Sequence, residues 1–298
     1  MLFSHRTTAR GLPLLLALGV FTGTAHGASV PPVTAFPVVG NVSYIDDFGA
    51  PRHQGPHEGN DVMSVRHQPA IAFEAGRVQK WHSSGSTGTC MLYLHARSGM
   101  TYVYIHLNND LGPTNDNDGG CRNGVSWAPG LKSGQWVKRG QLVGFVGDSG
   151  DANGLQPHLH FEVRKPSGAA IDPYPFLKRS VKLLYPRPAA VGDGVDLVLA
   201  GATIVQKTSD TITVRTKRIL QSRPDLAYPL VRKVTLAVPS GATIRQKSDS
   251  GRFAPAGLAS AQAGEKVRLR TTSFTPDWNT QRARASSLAV DMLVLYGS

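Results

Sequence analysis

The sequence predicts an all-β protein, and three observations lead to this prediction. The 298 residues include 32 glycines and 20 prolines, which favours a chain rich in turns. No long stretch places apolar residues at helical spacing, and short β-branched and aromatic runs lie between the turns. Because 41% of the residues are hydrophobic and only 17% are charged, the composition also excludes wholesale disorder.

Ten short runs are the candidate strands, five before residue 180 and five after it. Each is rich in β-branched, aromatic or aliphatic residues and is bounded by turn residues. They cover residues 70–73, 91–95, 101–106, 141–146, 158–163, 195–199, 211–215, 234–237, 266–270 and 288–295.

The first 27 residues have the layout of a secretory signal peptide. Arg6 and Arg10 precede an apolar run, and small residues follow it, with cleavage expected after Ala25 or Gly27. The apolar run is too short to span a bilayer, which takes roughly 20 residues. We therefore expect an exported protein of the periplasm, the extracellular space or the cell wall, with no membrane span, and with residues 28–40 as an extended lead-in.

Charge and histidine divide the remaining chain into two regions. Residues 28–180 hold 13 basic and 12 acidic side chains, whereas residues 181–298 hold 17 and 8; all ten histidines lie at or before His160. A proline-rich stretch near residues 174–188 is typical of a linker. The sequence thus predicts one β domain at 41–180 and a small, basic, β-rich accessory domain at 190–298.

Cys90 and Cys121 are the two cysteines of the chain. An even number of cysteines in an exported protein favours a disulfide, which would close a loop of about thirty residues. The alternative is a pair of small buried thiols.

A long polar loop spans residues 107–131. Loops of this length in compact domains are usually functional or mobile. Its Asp-x-Asp-Gly stretch at Asp116–Gly119 is compatible with calcium, but the other oxygen ligands of an EF-hand loop are missing. A solvated turn is the default interpretation.

Two short motifs carry metal chemistry. His57 and Asp61 lie four residues apart, and His158 and His160 lie two apart, so each pair shares one face of an extended strand. Two imidazole nitrogens and one carboxylate form a three-ligand set that leaves the fourth corner of a zinc tetrahedron open for water. Zinc lowers the pKa of that water and polarises a scissile carbonyl.

Two acidic residues adjoin these motifs in sequence, Glu58 and Glu162. We expect both carboxylates to point away from the metal, because neighbouring side chains on a strand point to opposite faces.

The motifs together resemble the LytM/lysostaphin-type zinc endopeptidases of the bacterial cell wall. The resemblance covers residues 36–177 and rests on His-x-Gly-x-Asp, on a strand that ends in aromatic-x-His-Leu at His106, and on a closing His-Leu-His-Phe-Glu. Glycine-punctuated segments at 134–144 and 147–150, and Ile-Asp-Pro at 171–173, extend it. It implies a LytM-like catalytic domain of antiparallel β-sheet.

Transferred position by position, the resemblance implies a role for each of five residues. His57, Asp61 and His160 would hold Zn²⁺. His106 and His158 would be the catalytic histidines, which activate the water as general base and stabilise the developing oxyanion. Which of the two does which is left open.

The sequence therefore predicts a secreted zinc metalloendopeptidase. It would hydrolyse peptide bonds in peptidoglycan cross-links or stems by attack of zinc-bound water. The basic C-terminal region would bind an anionic cell-wall polymer, and no nucleic-acid partner is expected. The alternatives are a non-enzymatic wall-binding regulator of another murein hydrolase and a secreted zinc protease that acts on proteins. The loop at 107–131 could also make the enzyme latent.

Overall fold

Strands make up nearly all of the regular structure of this chain. A computed structural model describes residues 33–85, 87–189, 195–222, 224–272 and 288–297. Within them the sole α-helix is α1 (Tyr174–Arg179), and two 3-10 turns cover Gly150–Ala152 and Leu258–Ser260. The predicted all-β class is confirmed, whereas the predicted signal peptide at 1–27 lies outside the described residues.

The first eleven strands are short. They are β1 (Pro51–Arg52), β2 (Gly55–Pro56), β3 (Asn60–Met63), β4 (Pro69–Ile71), β5 (Gly76–His82), β6 (Cys90–Ala96), β7 (Thr101–Ile105), β8 (Trp136–Val137), β9 (Leu142–Phe145), β10 (His158–Arg164) and β11 (Ala170–Ile171). The first sheet has the order β11-β10-β7-β6-β5-β8, and β3 pairs with β10 beside it. The pairs β1–β2 and β4–β9 are separate two-stranded ladders.

Strand β10 is the centre of the first sheet. It pairs antiparallel with β7 and β3, so that His160 lies opposite both Ile105 and Asp61. Leu159, Phe161 and Val163 on β10 are fully buried, and their burial fixes which face of the strand the alternate residues occupy.

The second sheet comes from the C-terminal half of the chain and has longer strands. They are β12 (Leu197–Lys207), β13 (Thr211–Ser222), β14 (Asp225–Ala237), β15 (Thr243–Lys247), β16 (Phe253–Pro255), β17 (Lys266–Thr271) and β18 (Val290–Leu295). Their order is β14-β13-β12-β17-β18-β15-β16, antiparallel except for the parallel pair β15–β18. Each of the ten predicted strands overlaps a strand of the structure.

Residues Val33–Ser298 form one compact unit that contains both sheets. Tyr228 on β14 is buried and donates its hydroxyl hydrogen to the Leu184 carbonyl (2.8 Å). The buried Gln68 amide nitrogen donates to the carbonyls of Val39 (2.6 Å) and Pro229 (3.1 Å). Side chains from both sheets contribute to one hydrophobic core, and the division into domains at 41–180 and 190–298 stays a prediction.

A disulfide joins Cys90 and Cys121, with the Cα atoms 5.4 Å apart, as the cysteine count predicts. The loop it anchors is also held by buried charge, because Arg66 pairs with both Asp110 and Asp148. The Asp116 carboxylate accepts hydrogen bonds from backbone N–H groups of its own loop, the role expected of a turn residue. No helix in the described part of the chain is long and apolar enough to cross a membrane.

Candidate metal centre and active site

Three side chains meet where β3 and β10 pair. The Nε2 atom of His57 lies 2.9 Å from Nδ1 of His160 and 3.2 Å from Oδ1 of Asp61, and those last two atoms are 3.1 Å apart. Asp61 and His160 are directly opposite in the β3–β10 register, and His57 precedes β3. The sheet therefore places three potential ligand atoms within reach of one ion.

In each of these side chains the atom that faces away from the cluster makes a hydrogen bond. This bond orients the other nitrogen or oxygen toward the cluster. Nδ1 of His57 donates to the Asp47 carbonyl (2.9 Å), which leaves the lone pair of Nε2 facing inward. Arg52 donates to Oδ2 of Asp61 (2.7 Å), so that Oδ1 is the atom in the cluster. Two imidazole nitrogens and one carboxylate oxygen with such outer partners fit the donor set of a catalytic zinc site.

Glu162 supplies the corresponding partner for His160. Its Oε1 accepts from Nε2 of His160 (3.2 Å), and its Oε2 accepts from Nε of Arg164 (2.6 Å). The expectation that Glu162 points away from the metal was wrong in direction, because residues two apart on a strand share a face. The carboxylate faces the pocket and contacts a candidate ligand, although it is not one of the three clustered residues.

Glu58 has a different environment. Its exposed carboxylate accepts from Nη2 of Arg164 (2.6 Å) at the rim of the pocket. Arg164 therefore lies between two acids, one behind His160 and one in solvent.

The charges of the cluster stabilise one another. Burial pushes the pKa of Asp61 upward, but hydrogen bonds with His160 and His57 outweigh burial and hold it far below its usual range. For His160 burial favours the neutral ring, yet hydrogen bonds to Asp61 and Glu162 raise its pKa to about 9.

Two more histidines border the cluster. The rings of His106 and His158 meet edge to face, with centroids 4.9 Å apart. Each donates its Nδ1 hydrogen to a backbone carbonyl at 2.8 Å, His106 to Ser149 and His158 to Gln156, so Nε2 carries the lone pair. Burial, with the nearby His158, lowers the pKa of His106 to about 4 and keeps its ring neutral near pH 7.

The backbone at His106 is left-handed, with φ of +59°. A non-glycine residue adopts this conformation at a cost of about 1–2 kcal/mol. The turn follows the end of β7 at Ile105 and is held on both sides, by the Gly147 N–H to the His106 carbonyl and by the Leu107 N–H to the Cys90 carbonyl (both 3.0 Å). Strain at such a position is typical of functional sites.

The five histidine and aspartate side chains line one open cleft of about 330 Å³. Its rim is polar, and Gln54 from the β1–β2 hairpin donates across it to Asp151 (2.9 Å). Gly59 lies against the cluster so closely that a Cβ there would fall 2.5 Å from Nε2 of His160. Only glycine at position 59 leaves the imidazole in place.

Residues 125–173 match Peptidase family M23. The matched segment contains His158 and His160, whereas His57, Asp61 and His106 lie N-terminal to it.

Two curated relatives of this chain are named as a metalloprotease and an endopeptidase. An uncharacterized metalloprotease of Haemophilus influenzae is 31% identical over 119 residues, 40% of this chain and 20% of the relative. The L-Ala--D-Glu endopeptidase of Bacillus subtilis is 28% identical over 155 residues, 48% of this chain and 41% of the relative. This chain therefore spans less than half the length of either relative.

Among solved structures, the catalytic domain of the antimicrobial peptidase lysostaphin from Staphylococcus simulans is similar. It is 26% identical, covers 46% of this chain and 93% of its own, and has a TM-score of 0.34.

All five residues predicted from the sequence lie together around one cleft. Sequence reasoning missed Arg52, Gln54, Asp151 and the inward direction of Glu162. Glu162 lies two residues after His160 on the same strand, and this spacing could have predicted that its side chain faces the cleft. No local signal identifies the other three, because Gln54 and Asp151 are 97 residues apart in sequence and meet only in the fold.

Proposed function

We propose that this chain is an exported, zinc-dependent metalloendopeptidase that hydrolyses peptide bonds in the cross-links or stems of bacterial peptidoglycan. The observation that carries the proposal is the His57–Asp61–His160 cluster with His106 and His158 in the same cleft. A purely structural zinc site has four protein ligands and needs no further histidines beside it.

The substrate class is supported by the relatives. One of them is named for an L-Ala–D-Glu peptide bond. An open, polar cleft is also suited to an extended peptide more than to a small apolar ligand. The disulfide supports export, since such bonds persist in oxidising compartments.

In the proposed reaction His57, Asp61 and His160 would hold the zinc. When bound, Zn²⁺ would polarise the scissile carbonyl and make water nucleophilic near neutral pH. His106 and His158 divide two tasks. One ring is neutral and accepts the proton of the attacking water at the Nε2 lone pair. The other ring carries a proton on Nε2 as well as on Nδ1 and donates it in a hydrogen bond to the developing oxyanion. Their Nδ1 hydrogen bonds to backbone carbonyls fix the orientation that both tasks need.

The test is chelator-sensitive hydrolysis. The purified full chain is incubated with peptidoglycan in the presence of zinc and, separately, of EDTA, and the released fragments are analysed by mass spectrometry. We expect new peptide termini only with zinc, and their masses identify the bond.

Two outcomes would overturn the proposal. Stoichiometric zinc without any release would favour the regulator alternative, and cleavage of a glycine-rich protein without cleavage of peptidoglycan would favour a protein-directed protease. Before the first outcome is accepted, the assay is repeated after the loop at 107–131 has been nicked, which relieves latency imposed by that loop.

A further inference from the structure

The outward surface of the second sheet carries many exposed cations, and six of them form what we call the cationic face. They alternate along their strands with buried side chains, or on β15 with half-buried ones, so all of them point away from the core. The cationic face consists of Arg215, Lys233, Arg245, Lys266, Arg268 and Arg270.

The strand register shows that these residues share one face. Arg215 on β13 lies opposite Lys233 on β14, and it also lies opposite Thr203 on β12. Thr203 in turn lies opposite Lys266 on β17, which makes one row across four strands.

A second row runs in the same direction. Arg268 on β17 lies opposite Val294 on β18, and Val294 lies beside Arg245 on β15. Along β17, successive outward cations are about 7 Å apart, two residues of extended chain.

The protein neutralises little of the charge on this surface. Within the described residues the face contains one acid pair, in which Arg270 donates to Asp291 (2.8 Å). Arg215 and Lys233 are directly opposite like charges, an arrangement that destabilises a sheet. The opposite side of these strands is buried, with Val214, Val267 and Leu269 in the core, so the cations cannot turn inward.

We propose that the cationic face is a docking surface for a linear phosphodiester polyanion of the bacterial cell wall. Rows of arginine and lysine at regular spacing complement a polymer with one negative charge per repeat, and guanidinium groups bind phosphate in two-point contacts. The unrelieved repulsion between Arg215 and Lys233 favours binding, because a phosphate between them removes it.

The choice of a wall polymer over nucleic acid rests on the proposed function and on the Cys90–Cys121 disulfide, which belongs to an oxidising compartment. Docking would concentrate the cleft on its substrate, since the second sheet and the cleft belong to one compact unit.

The test measures binding separately from hydrolysis. EDTA-treated full-length protein is cosedimented with purified walls that carry phosphodiester polymers and with the same walls after hydrofluoric acid extraction. We expect binding at low salt that falls steeply with ionic strength and is lost on the extracted walls. Because no turnover is required, failure of the peptidase proposal leaves this readout intact.

A pair of variants with equal charge change isolates the surface. Arg215→Gln/Lys233→Gln should bind the unextracted walls about tenfold more weakly and show a shallower salt dependence. Lys132→Gln/Lys165→Gln, which neutralises two exposed lysines outside the second sheet, should bind like the wild type.

Three results would overturn the proposal. Equal losses in both variants would show that only net charge matters, and equal binding to extracted walls would exclude phosphate as the ligand. Tighter binding to a single-stranded oligothymidine or to phosphatidylglycerol vesicles than to the walls would assign the face to nucleic acid or membrane instead.

Discussion

At the scale of single residues, the carboxylate of Glu162 is the feature that links the cleft to the sheet behind it. It accepts a hydrogen bond from the outer nitrogen of His160 while Arg164 holds its other oxygen. Burial raises the pKa of Glu162, but the contacts with His160 and Arg164 outweigh burial and keep it below the usual value. The side chain is therefore an anion that orients a candidate ligand.

We predict that Glu162→Gln weakens zinc binding about 10–100-fold, because the amide provides a weaker acceptor for His160. Competition against a chromophoric chelator measures the affinity. Glu58→Gln is the matched control, since that acid also binds Arg164 but does not touch the cluster. Equal zinc affinity in wild type and Glu162→Gln would exclude the orienting role.

Substitutions of the two histidines of β10 should have different effects on zinc binding and on hydrolysis. His160→Ala removes one of three ligands, so we predict loss of stoichiometric zinc and of hydrolysis together. His158→Ala should retain zinc and lose turnover about 10²–10⁴-fold, the range for a general acid or base. Zinc content by elemental analysis, beside fragment release, distinguishes the variants. Substantial turnover in His158→Ala would remove that residue from the mechanism.

These histidines could be predicted from the sequence because the pattern that identifies them is a spacing between residues close together in the chain. The even spacing of His158 and His160 puts both on one strand face, and the strand register then brings Asp61 opposite His160. Arg52 could not be found in this way. It reaches Asp61 from a two-residue strand whose position depends on the packing of the β1–β2 hairpin.

At the scale of elements, the loop at 107–131 has two independent anchors. The disulfide ties Cys121 in the loop to the start of β6, and Arg66 binds Asp110 near the beginning of the loop. The N–H of Cys90 also donates to the Ser149 hydroxyl (3.0 Å), and the Ser149 carbonyl orients His106. The anchor of the loop is therefore connected to the cleft.

Removal of the disulfide should destabilise the folded chain. We predict that Cys90→Ala/Cys121→Ala lowers the free energy of unfolding by about 3–4 kcal/mol, since a 31-residue separation is no longer closed in the unfolded state. Urea denaturation of the variant and the wild type measures the difference. A loss below about 1 kcal/mol would indicate that Arg66 and its two aspartates suffice to hold the loop.

For the cationic face we predict one substitution that raises the stability of the fold and lowers binding to the wall. Lys233→Glu places an acid opposite Arg215, so we expect the free energy of unfolding to rise by about 0.2–1 kcal/mol. Binding to phosphate-bearing walls should fall at the same time. Thermal unfolding and wall cosedimentation provide the two measurements, and a variant that loses both stability and binding would point to misfolding instead.

The longer elements were predictable because alternation in sequence matches alternation in burial. Val267 and Leu269 are buried while Lys266 and Arg268 are exposed, the pattern that a strand with one buried face requires. The two-residue strands were not predictable. Trp136–Val137 pairs with β5 because of tertiary packing, and two residues are too few to show a period.

At the scale of the whole molecule, the two sheets share buried contacts. Leu184 and Tyr185 are almost fully buried in a stretch that composition alone describes as a linker, and Tyr228 donates to the Leu184 carbonyl. Proline content marks where a chain is irregular, but it carries no information about what packs over it. The segregation of charge, in contrast, is visible directly in the sequence.

We predict that the chain unfolds in one cooperative thermal transition, because the hydrophobic core includes residues of both sheets. Calorimetry should give equal calorimetric and van't Hoff enthalpies. Two resolved transitions, with a fragment of residues 41–180 that folds alone, would instead establish two independent domains.

The left-handed backbone at His106 sets stability and activity against each other. Glycine at this position would adopt a φ of +59° without the steric cost that histidine bears. A library of variants that is screened for heat resistance alone would therefore select His106→Gly. That variant lacks the imidazole that is proposed to take part in catalysis. Thermostable forms of this protein should be sought with a hydrolysis readout at every round, and position 106 should be held fixed.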